Sequence, residues 1–292
     1  MSEMSYMAPE RLEDALAAKA EHGAHARVVA GATDLILRMR DGVLRPDLLI
    51  DLRRLALDAI ELDGDALRLG AYATHGQLLA DPLVAAHLPA LRQACSEFAG
   101  PPIRNRGTLG GNLVNASPAA DLVPPLLAYD ACVILDSADG RRELPLAAFF
   151  TGPGQTVLRP DEILTEVRLP LPPAGTGAEF IKLGQRRSMA ISVVSVAARL
   201  SLGAAGEVQV ARIALGAVAP TVVRAAAAEE ALQGHAPDAG RLRAAAGLAG
   251  GAATPISDPR ASREYRARMV PVLVRRALEA AWSASREAAA HG

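Results

Sequence analysis

Two short glycine-bearing turns constrain this chain more than any other feature of its sequence. The first runs Val-Val-Ala-Gly-Ala-Thr-Asp over residues 28–34, and the second runs Thr-Leu-Gly-Gly-Asn over residues 108–112. Each turn offers a run of backbone N–H groups with little side chain in the way, which is what a phosphate needs in order to approach a main chain. Two such turns of different design, about eighty residues apart, predict a pyrophosphate held from two sides.

Composition excludes several classes of function. The chain has 292 residues, of which 50% are hydrophobic, so it is long enough for two or three domains or subdomains with a large core. Its 31 basic and 32 acidic residues give a net charge of −1, and aromatic residues make up 3%, which argues against nucleic acid or anionic lipid as a partner. The first residues lack the basic and apolar regions of a secretory signal, and no apolar run is long enough for a transmembrane segment. The sequence therefore predicts a soluble, cytoplasmic protein.

Residues that usually carry catalysis or bind metals are sparse. Cys95 and Cys132 are the two cysteines, fewer than the four thiolates of an iron–sulfur cluster, and both are interpreted as small core side chains. The six histidines are scattered, and we interpret them as surface or capping residues. Metal-ligand spacings, a P-loop motif and the Rossmann glycine motif are all missing from the sequence. We therefore expect no catalytic or metal-binding residue here, and a phosphorylated ligand that brings its own chemistry, as a redox cofactor does.

Hydrophobic periodicity divides the chain into three parts. Residues up to about 55 predict a β-α-β unit around the first turn. The middle part begins with a hairpin at Asp63-Gly64-Asp65 and includes an apolar helix over 121–130. A proline- and glycine-rich stretch at 171–177 marks a boundary. Beyond it we predict antiparallel strands and then helices, with the strands at 178–185, 191–202 and 208–219 and the helices at 223–232, 238–248 and 262–282.

Several of these features have simpler interpretations. Gly110-Gly111 is also the sequence of a plain tight turn. Asp121 could cap the helix that follows it, and Lys182 could be an edge-strand residue with a solvated head. Arg104 and Arg106 are either surface charges or groups that neutralise a diphosphate or face a partner. The residues alone leave these alternatives open.

Longer blocks of sequence resemble a known family. They are Ala-Gly-Ala-Thr-Asp-Leu at 30–35, the run from Phe98 to Asp121 with Ile-Arg-Asn-Arg-Gly-Thr-Leu-Gly-Gly-Asn-Leu inside it, Arg-Pro-Asp-Glu-Ile-Leu at 159–164, and Phe-Ile-Lys at 180–182. With these blocks, essentially the whole chain resembles the FAD-binding medium subunit of the molybdenum hydroxylases. That group contains xanthine dehydrogenase and aerobic carbon monoxide dehydrogenase. The run from Phe98 to Asp121 is the most specific part of the resemblance.

The resemblance implies a fold and a domain organisation. The fold class is α+β, with a two-subdomain FAD-binding fold of the vanillyl-alcohol-oxidase/PCMH type. A C-terminal three-stranded antiparallel sheet with a helical bundle would follow it. The corresponding divisions are residues 1–55 and 56–175 for the two FAD-binding subdomains and residues 176–292 for the C-terminal flavoprotein domain.

The resemblance also implies which residues contact FAD. Residues 28–34 would form the first pyrophosphate loop, in which Ala32 stands where the family usually has a second glycine. The Thr108 hydroxyl and the amides of the second turn would complete the diphosphate cradle. Asp121 would accept hydrogen bonds from ribityl or ribose hydroxyls, while Leu164 and Lys182 would lie near the flavin ring, the lysine stabilising negative charge on the reduced flavin. The full set of predicted cofactor-binding residues is Val28, Val29, Ala30, Gly31, Ala32, Thr33, Asp34, Phe98, Thr108, Leu109, Gly110, Gly111, Asn112, Asp121, Leu164 and Lys182.

Partners follow from the same resemblance. A large subunit would carry the molybdenum cofactor and a small subunit would carry [2Fe–2S] clusters, in a dimer of heterotrimers. This chain would take electrons from those clusters into FAD and pass them to an external acceptor such as NAD⁺, a quinone or oxygen. Two other functions remain open from the sequence. They are a free-standing flavin oxidoreductase, and a non-catalytic scaffold or assembly factor with the same fold.

Overall fold

The chain folds into two compact units that are each built from several segments. The computed structural model describes residues 4–186 and 189–291. The first unit comprises Met1–Leu78, Gly100–Ala116 and Cys132–Leu169, and the second comprises Leu79–Ala99, Ser117–Ala131 and Pro170–Gly292. The division into three domains at residues 55 and 175 stays a prediction.

Both units combine strands with helices, and in the second unit the longest helix follows the last strand. The strands are β1 Ser5–Met7, β2 Ala26–Val29, β3 Leu48–Asp51, β4 Ile60–Asp63, β5 Ala66–Gly70, β6 Cys132–Ser137, β7 Gly140–Pro145, β8 Phe150–Gly152, β9 Gln155–Thr156, β10 Ile163–Pro170, β11 Thr176–Leu183, β12 Val194–Leu202, β13 Val208–Gly216 and β14 Val223–Arg224. The α-helices are α1 Leu12–His22, α2 Leu35–Arg40, α3 His75–Ala80, α4 Pro82–His87, α5 Pro89–Glu97, α6 Pro101–Arg104, α7 Leu109–Asn115, α8 Val123–Ala128, α9 Ala226–Glu230, α10 Ala239–Ala249 and α11 Arg263–His291. No helix within these described ranges is both long and apolar enough to cross a membrane.

A small parallel sheet in the first unit carries the first glycine turn. Its strand order is β1-β3-β2, and both strand pairs are parallel. Ala15 and Leu16 of α1 are buried in one cluster with Ala26 and Ile50 of the sheet, so the helix covers one face of it. Helix α2 connects the parallel strands β2 and β3, so the predicted β-α-β unit is present. Strand β1 was not predicted, because it has only three residues and these are exposed or half-buried, so they carry no hydrophobic signal.

The first unit also contains a five-stranded sheet in the order β4-β5-β10-β6-β7 and a two-stranded sheet of β8 and β9. The predicted hairpin is confirmed, since Asp63 pairs with Ala66 across a turn in which Gly64 has φ of +62°. A positive φ of this kind favours glycine because it has no Cβ to clash with the backbone. Strand β10 is buried over most of its length, as expected for a strand with neighbours on both sides.

The second unit packs helices on an antiparallel sheet of order β11-β12-β13-β14. Strand β12 and helix α11 supply much of its core, with Val196, Leu200, Val274 and Leu278 all fully buried. At Gly177 the sheet and α11 approach so closely that an added Cβ would lie 2.1 Å from the Ala281 carbonyl oxygen.

The predicted three-stranded sheet of this unit has a fourth strand. Strand β14 has two residues and opens the segment 223–232 that was predicted as helix, of which only Ala226–Glu230 is helical. A two-residue strand is too short to leave a periodic pattern.

Candidate cofactor-binding site

Within the described residues, the first glycine turn has a series of backbone N–H groups without protein partners. The turn joins the end of β2 at Val29 to the start of α2 at Leu35. The carbonyl oxygens of Ala32 and Asp34 accept from Ile36 and Arg38, but the amides of residues 31–35 have no acceptor among the described residues. Asp34 occupies the N-cap position of α2 without a side-chain hydrogen bond. These unpaired amides are the kind of donor that binds a phosphate oxygen.

Gly31 brings the two predicted turns together within the first unit. A Cβ at Gly31 would lie 1.9 Å from the Arg106 carbonyl oxygen and 3.0 Å from the Gly107 Cα. The main chain that leads into Thr108 therefore packs directly against Gly31. Only glycine can occupy this position, because any side chain would overlap backbone that cannot give way.

Ala32 holds a backbone conformation that favours glycine. Its φ is +61°, in the left-handed region. For an L-residue with a Cβ this conformation costs about 1–2 kcal/mol. The departure from the usual double glycine therefore carries an energetic cost, while the Ala32 amide has no acceptor in the described part of the chain.

We expect Ala32→Gly to stabilise the chain. Relief of the left-handed strain outweighs the extra unfolded-state entropy of glycine, for a net gain of about 0.5–1 kcal/mol. Chemical denaturation of the full chain measures it. Ala244→Gly, at an exposed site within α10, is the matched control and should cost about 1 kcal/mol. A loss of stability in Ala32→Gly would contradict the strain assigned to this position.

The second turn is the first turn of helix α7, not an isolated tight turn. Thr108 is the N-cap, and its Oγ1 accepts a hydrogen bond of 3.1 Å from the Gly111 amide. A Cβ at Gly110 would lie 2.8 Å from the Ala71 Cβ, so this glycine is needed for packing. The plain-turn interpretation of Gly110-Gly111 is therefore wrong.

The backbone of the second turn is largely occupied within the chain. The Leu109 amide donates to the Ala73 carbonyl oxygen at 2.9 Å, and the Gly110 amide donates to that of Ala71 at 2.8 Å. The Asn112 amide donates to the Thr108 carbonyl oxygen at 3.0 Å. These three amides therefore have acceptors within the chain, and the contact of the second turn with a diphosphate stays a prediction.

Two residues of the second turn still offer polar groups to a ligand. Within residues 4–186 and 189–291, the Thr108 amide has no acceptor, and its hydroxyl accepts a bond without donating one. The Asn112 Oδ1 is buried and has no hydrogen-bond partner there. Buried polar atoms are rarely left without a partner. The Thr108 groups and the first turn's amides are donors that fit a diphosphate, and the Asn112 Oδ1 is an acceptor that fits a hydroxyl of the same ligand.

His75 lies directly beneath the second turn. It is almost fully buried, its amide donates to the Gly107 carbonyl oxygen at 3.0 Å, and a Cβ at Gly107 would lie 2.9 Å from the His75 Nδ1. Burial lowers the pKa of His75 to about 4, so the imidazole is neutral at pH 7. The interpretation of all the histidines as surface or capping residues is wrong for this one.

We expect His75 to make the fold acid-sensitive. Because its pKa is about 4 in the folded chain and 6.5 in the reference state, the unfolded chain binds the proton more readily. Stability is therefore lost as the pH falls from 6.5 towards 4, by roughly 3 kcal/mol in total. Denaturation curves at several pH values should show that His75→Gln flattens this slope. His235→Gln, at an exposed histidine, controls for the substitution itself. An unchanged slope in His75→Gln would rule out this assignment.

A buried ion pair joins two predicted site residues in the second unit. The Lys182 Nζ lies 2.6 Å from the Asp121 Oδ2, and each side chain is 5% exposed. The same Nζ donates to the Glu97 carbonyl oxygen at 3.3 Å, and the Ser192 hydroxyl donates to the Asp121 Oδ1. Burial raises the pKa of Asp121, and the Lys182 charge and these hydrogen bonds offset part of that rise.

This pairing corrects two local interpretations. Asp121 does not cap α8, since Leu122 is the N-cap and the carboxylate binds Lys182 instead. Lys182 does lie on the edge strand β11, but its head is buried and not solvated. The sequence indicated both residues separately, whereas Ser192 stands in no motif and was missed.

The remaining predicted site residues lie at ordinary structural positions. Leu164 is a buried residue of β10 in the first unit, and Phe98 is a half-buried residue directly after α5 in the second. Val28 and Val29 are strand residues paired with Ile50 and Asp51. Their contacts with a cofactor stay predictions.

The Arg159-to-Leu164 block, which marked the resemblance, is built around a buried carboxylate. Glu162 accepts from the Arg142 Nη2 at 2.8 Å and from the Arg159 amide at 2.7 Å. Burial would raise the pKa of Glu162, but the Arg142 guanidinium and the amide hold it below its usual value. The hydrogen bonds of Glu162 therefore hold in place the segment that leads into β10.

Cysteine placement agrees only in part with the sequence. Cys95 is fully buried, as the interpretation of both cysteines as core side chains requires, but Cys132 is half-buried. No group of three or more histidine, cysteine or acidic residues within the described ranges could hold a metal ion.

Comparison with known proteins decides the family. Residues 2–172 match the model of the FAD-binding domain in molybdopterin dehydrogenase, and residues 179–281 match the carbon monoxide dehydrogenase flavoprotein C-terminal domain. The chain belongs to the FAD-binding subunits of the molybdenum-containing dehydrogenases. It is an oxidoreductase subunit with an FAD-binding domain, and the α+β fold class and the resemblance inferred from the sequence are both confirmed.

Relatives match this FAD subunit over nearly its full length. The carbon monoxide dehydrogenase medium chain of Hydrogenophaga pseudoflava is 33% identical over 280 residues, covering 95% of this chain and 96% of the relative. The xanthine dehydrogenase FAD-binding subunit of Escherichia coli O157:H7 is 34% identical over 284 residues, covering 96% and 97%.

Solved structures of the family share the fold. A carbon monoxide dehydrogenase chain from Hydrogenophaga pseudoflava superposes with a TM-score of 0.91 at 35% identity, covering 96% of this chain and 97% of that one. Quinoline 2-oxidoreductase from Pseudomonas putida 86 gives a TM-score of 0.89 at 31% identity and covers 98% of both chains.

Proposed function

We propose that this chain is the FAD-binding electron-transfer subunit of a heterotrimeric molybdenum hydroxylase. It takes electrons from [2Fe–2S] clusters of a small partner subunit and passes them to an external acceptor, which is NAD⁺, a quinone or oxygen. A large partner subunit carries the molybdenum cofactor. The complex is a cytoplasmic dimer of heterotrimers.

The packing of Gly31 against Arg106 and Gly107 carries this proposal. It brings the amides of residues 31–35 next to the chain segment that leads into Thr108, and these amides have no acceptor among the residues that the structure describes. The cofactor supplies the one- and two-electron chemistry. The chain's own residues bind the diphosphate through main-chain N–H groups and the Thr108 hydroxyl, and the Asn112 Oδ1 accepts from a hydroxyl of the cofactor.

Cysteine content supports the division of labour between subunits. An iron–sulfur cluster takes four thiolates, and this chain has two cysteines, of which Cys95 is fully buried. The clusters that deliver electrons therefore belong to another polypeptide.

The flavin contacts of Asp121 and Lys182 are part of the proposal. Lys182 has three N–H donors, of which Asp121 and the Glu97 carbonyl oxygen take two, so one donor remains for the flavin. Asp121 already accepts from Lys182 and Ser192, and its remaining lone pairs accept from cofactor hydroxyls. Leu164 and Phe98 supply apolar contact.

Purification of the complex from its native source tests the proposal. We expect one FAD per copy of this chain, released by acid and measured by absorbance, together with molybdenum and iron in co-purifying polypeptides. An assembled complex without flavin would identify a scaffold. A flavin-loaded chain that purifies alone would identify a free-standing oxidoreductase.

A further inference from the structure

Helix α2 and the turn after it expose an apolar surface on the first unit. The helix has the sequence Leu-Ile-Leu-Arg-Met-Arg, and each of its residues is at least partly exposed. Ile36 is 51% exposed, Leu37 is 47% exposed, and Val43 in the following turn is 64% exposed. We call residues 35–45 the α2 surface. Adjacent apolar side chains in this number mark a contact site more often than scattered ones do.

Local packing does not explain these side chains. The core cluster beneath the parallel sheet takes Ala15 and Leu16 from α1 and Ala26 and Ile50 from the strands, but no residue of α2. The hydrogen bonds that follow α2 tie its turn back to itself, since the Val43 and Leu44 amides both donate to the Arg38 carbonyl oxygen. The α2 surface is thus held in shape while its apolar side chains face outward.

The charge of the α2 surface indicates what covers it. It holds three arginines and one aspartate. Arg40 pairs with Asp41 at 3.2 Å, whereas Arg38 and Arg45 have no acidic partner among residues 4–186 and 189–291. An apolar centre with a cationic rim fits a surface with the opposite pattern, namely apolar side chains bordered by carboxylates.

A second copy of this chain fits poorly on this surface. In a two-fold dimer the same patch meets itself, so the unpaired arginines would face each other and repel. Relatives of this chain are themselves medium chains and FAD subunits, so other polypeptides of the complex are the natural source of a complementary surface.

We propose that the α2 surface docks onto another subunit of the same dehydrogenase, through an apolar area of that subunit bordered by carboxylates. This inference rests on the proposed function, since it needs a multisubunit complex. The surface directly follows the first glycine turn, so the partner would contact the element that continues from the cofactor-binding backbone.

Hydrogen exchange on the native complex and on the isolated full chain with FAD tests the docking. We expect the amides of the α2 surface to exchange at least about tenfold more slowly in the complex, because a docked subunit reduces local opening. Equal exchange rates in the two samples would overturn the proposal.

Charge insertion gives a second test. Leu37→Glu should leave the FAD content and the thermal stability of the isolated chain unchanged and should weaken assembly of the complex at least about tenfold. Arg38→Glu should weaken assembly less and reduce its salt dependence. Leu62→Glu is the matched control, since Leu62 is 48% exposed on the same unit but lies on β4, and it should assemble normally.

The outcomes separate this inference from the proposed function. Wild-type chain without FAD or without co-assembling subunits would refute the proposed function itself. Normal assembly of Leu37→Glu with full FAD content would refute the docking surface alone. Loss of FAD from isolated Leu37→Glu would show that the segment covers the cofactor and would overturn the docking proposal. Binding of the isolated chain to vesicles of phosphatidylserine, abolished by Leu37→Glu without a change in assembly, would assign the surface to a membrane and overturn the proposal.

Discussion

Replacing Gly31 with alanine will destabilise the first unit by about 3 kcal/mol or more and abolish FAD retention. The added Cβ would lie 1.9 Å from the Arg106 carbonyl oxygen and 2.6 Å from its carbon, so two stretches of backbone must separate. Overpacking typically costs 1–3 kcal/mol when side chains can adjust, and here backbone must move instead. Chemical denaturation of the full chain and FAD content after gel filtration measure the two effects.

The same substitution at Gly247 is the matched control. Gly247 lies in helix α10 with nothing within 4 Å of its added Cβ, so Gly247→Ala should stabilise the chain by about 0.5–1 kcal/mol and leave FAD content unchanged. If Gly31→Ala retained normal stability and stoichiometric FAD, the two turns would not meet at Gly31 as described, and the proposed diphosphate site would have to be abandoned.

Removing the charge of Asp121 should be the second most damaging change. Asp121→Asn leaves the Lys182 ammonium buried without a counter-charge, and breaking a buried ion pair in this way costs about 3–5 kcal/mol. Denaturation at pH 7 measures the loss. Glu279→Gln removes a half-exposed partner of Arg275 on α11 and should cost less than about 0.5 kcal/mol.

A double-mutant cycle distinguishes the ion pair from general damage at the site. Asp121→Asn combined with Lys182→Met removes both charges, so the double variant should be more stable than Asp121→Asn alone. Strictly additive effects of the two substitutions would show that the carboxylate and the ammonium do not stabilise each other.

The sequence predicted the first turn more accurately than the second. The prediction for residues 28–34 needed only a strand, a glycine and a following helix, all of which are local signals. Over residues 4–186 and 189–291 the amides of residues 31–35 have no acceptor. In the second turn, the Leu109 and Gly110 amides donate hydrogen bonds to the carbonyl oxygens of Ala73 and Ala71, which lie far away along the chain. No local pattern reports such long-range partners, so the free-amide expectation could not be corrected from the sequence.

The sequence also did not predict which polar side chains are buried. His75 is followed by a glycine and a glutamine, which suggests a surface position, yet it is buried under Gly107 because of a contact across the fold. Asp121 and Lys182 were both predicted as site residues, but their ion pair depends on where β11 packs in the second unit. Side-chain type and spacing predict which residues are unusual, and tertiary packing determines what each of them contacts.

The packing of Gly31 against Arg106 and Gly107 has a consequence for how the protein folds during its synthesis. Synthesis runs from the N-terminus, so the first glycine turn leaves the ribosome well before Arg106 and Gly107 have been translated. Until Arg106 and Gly107 have been synthesised, the turn lacks the backbone against which it packs. A nascent chain without them cannot form the complete site. Under the proposed function, FAD therefore binds at a late stage of biogenesis, after the distant segments of the first unit have packed together.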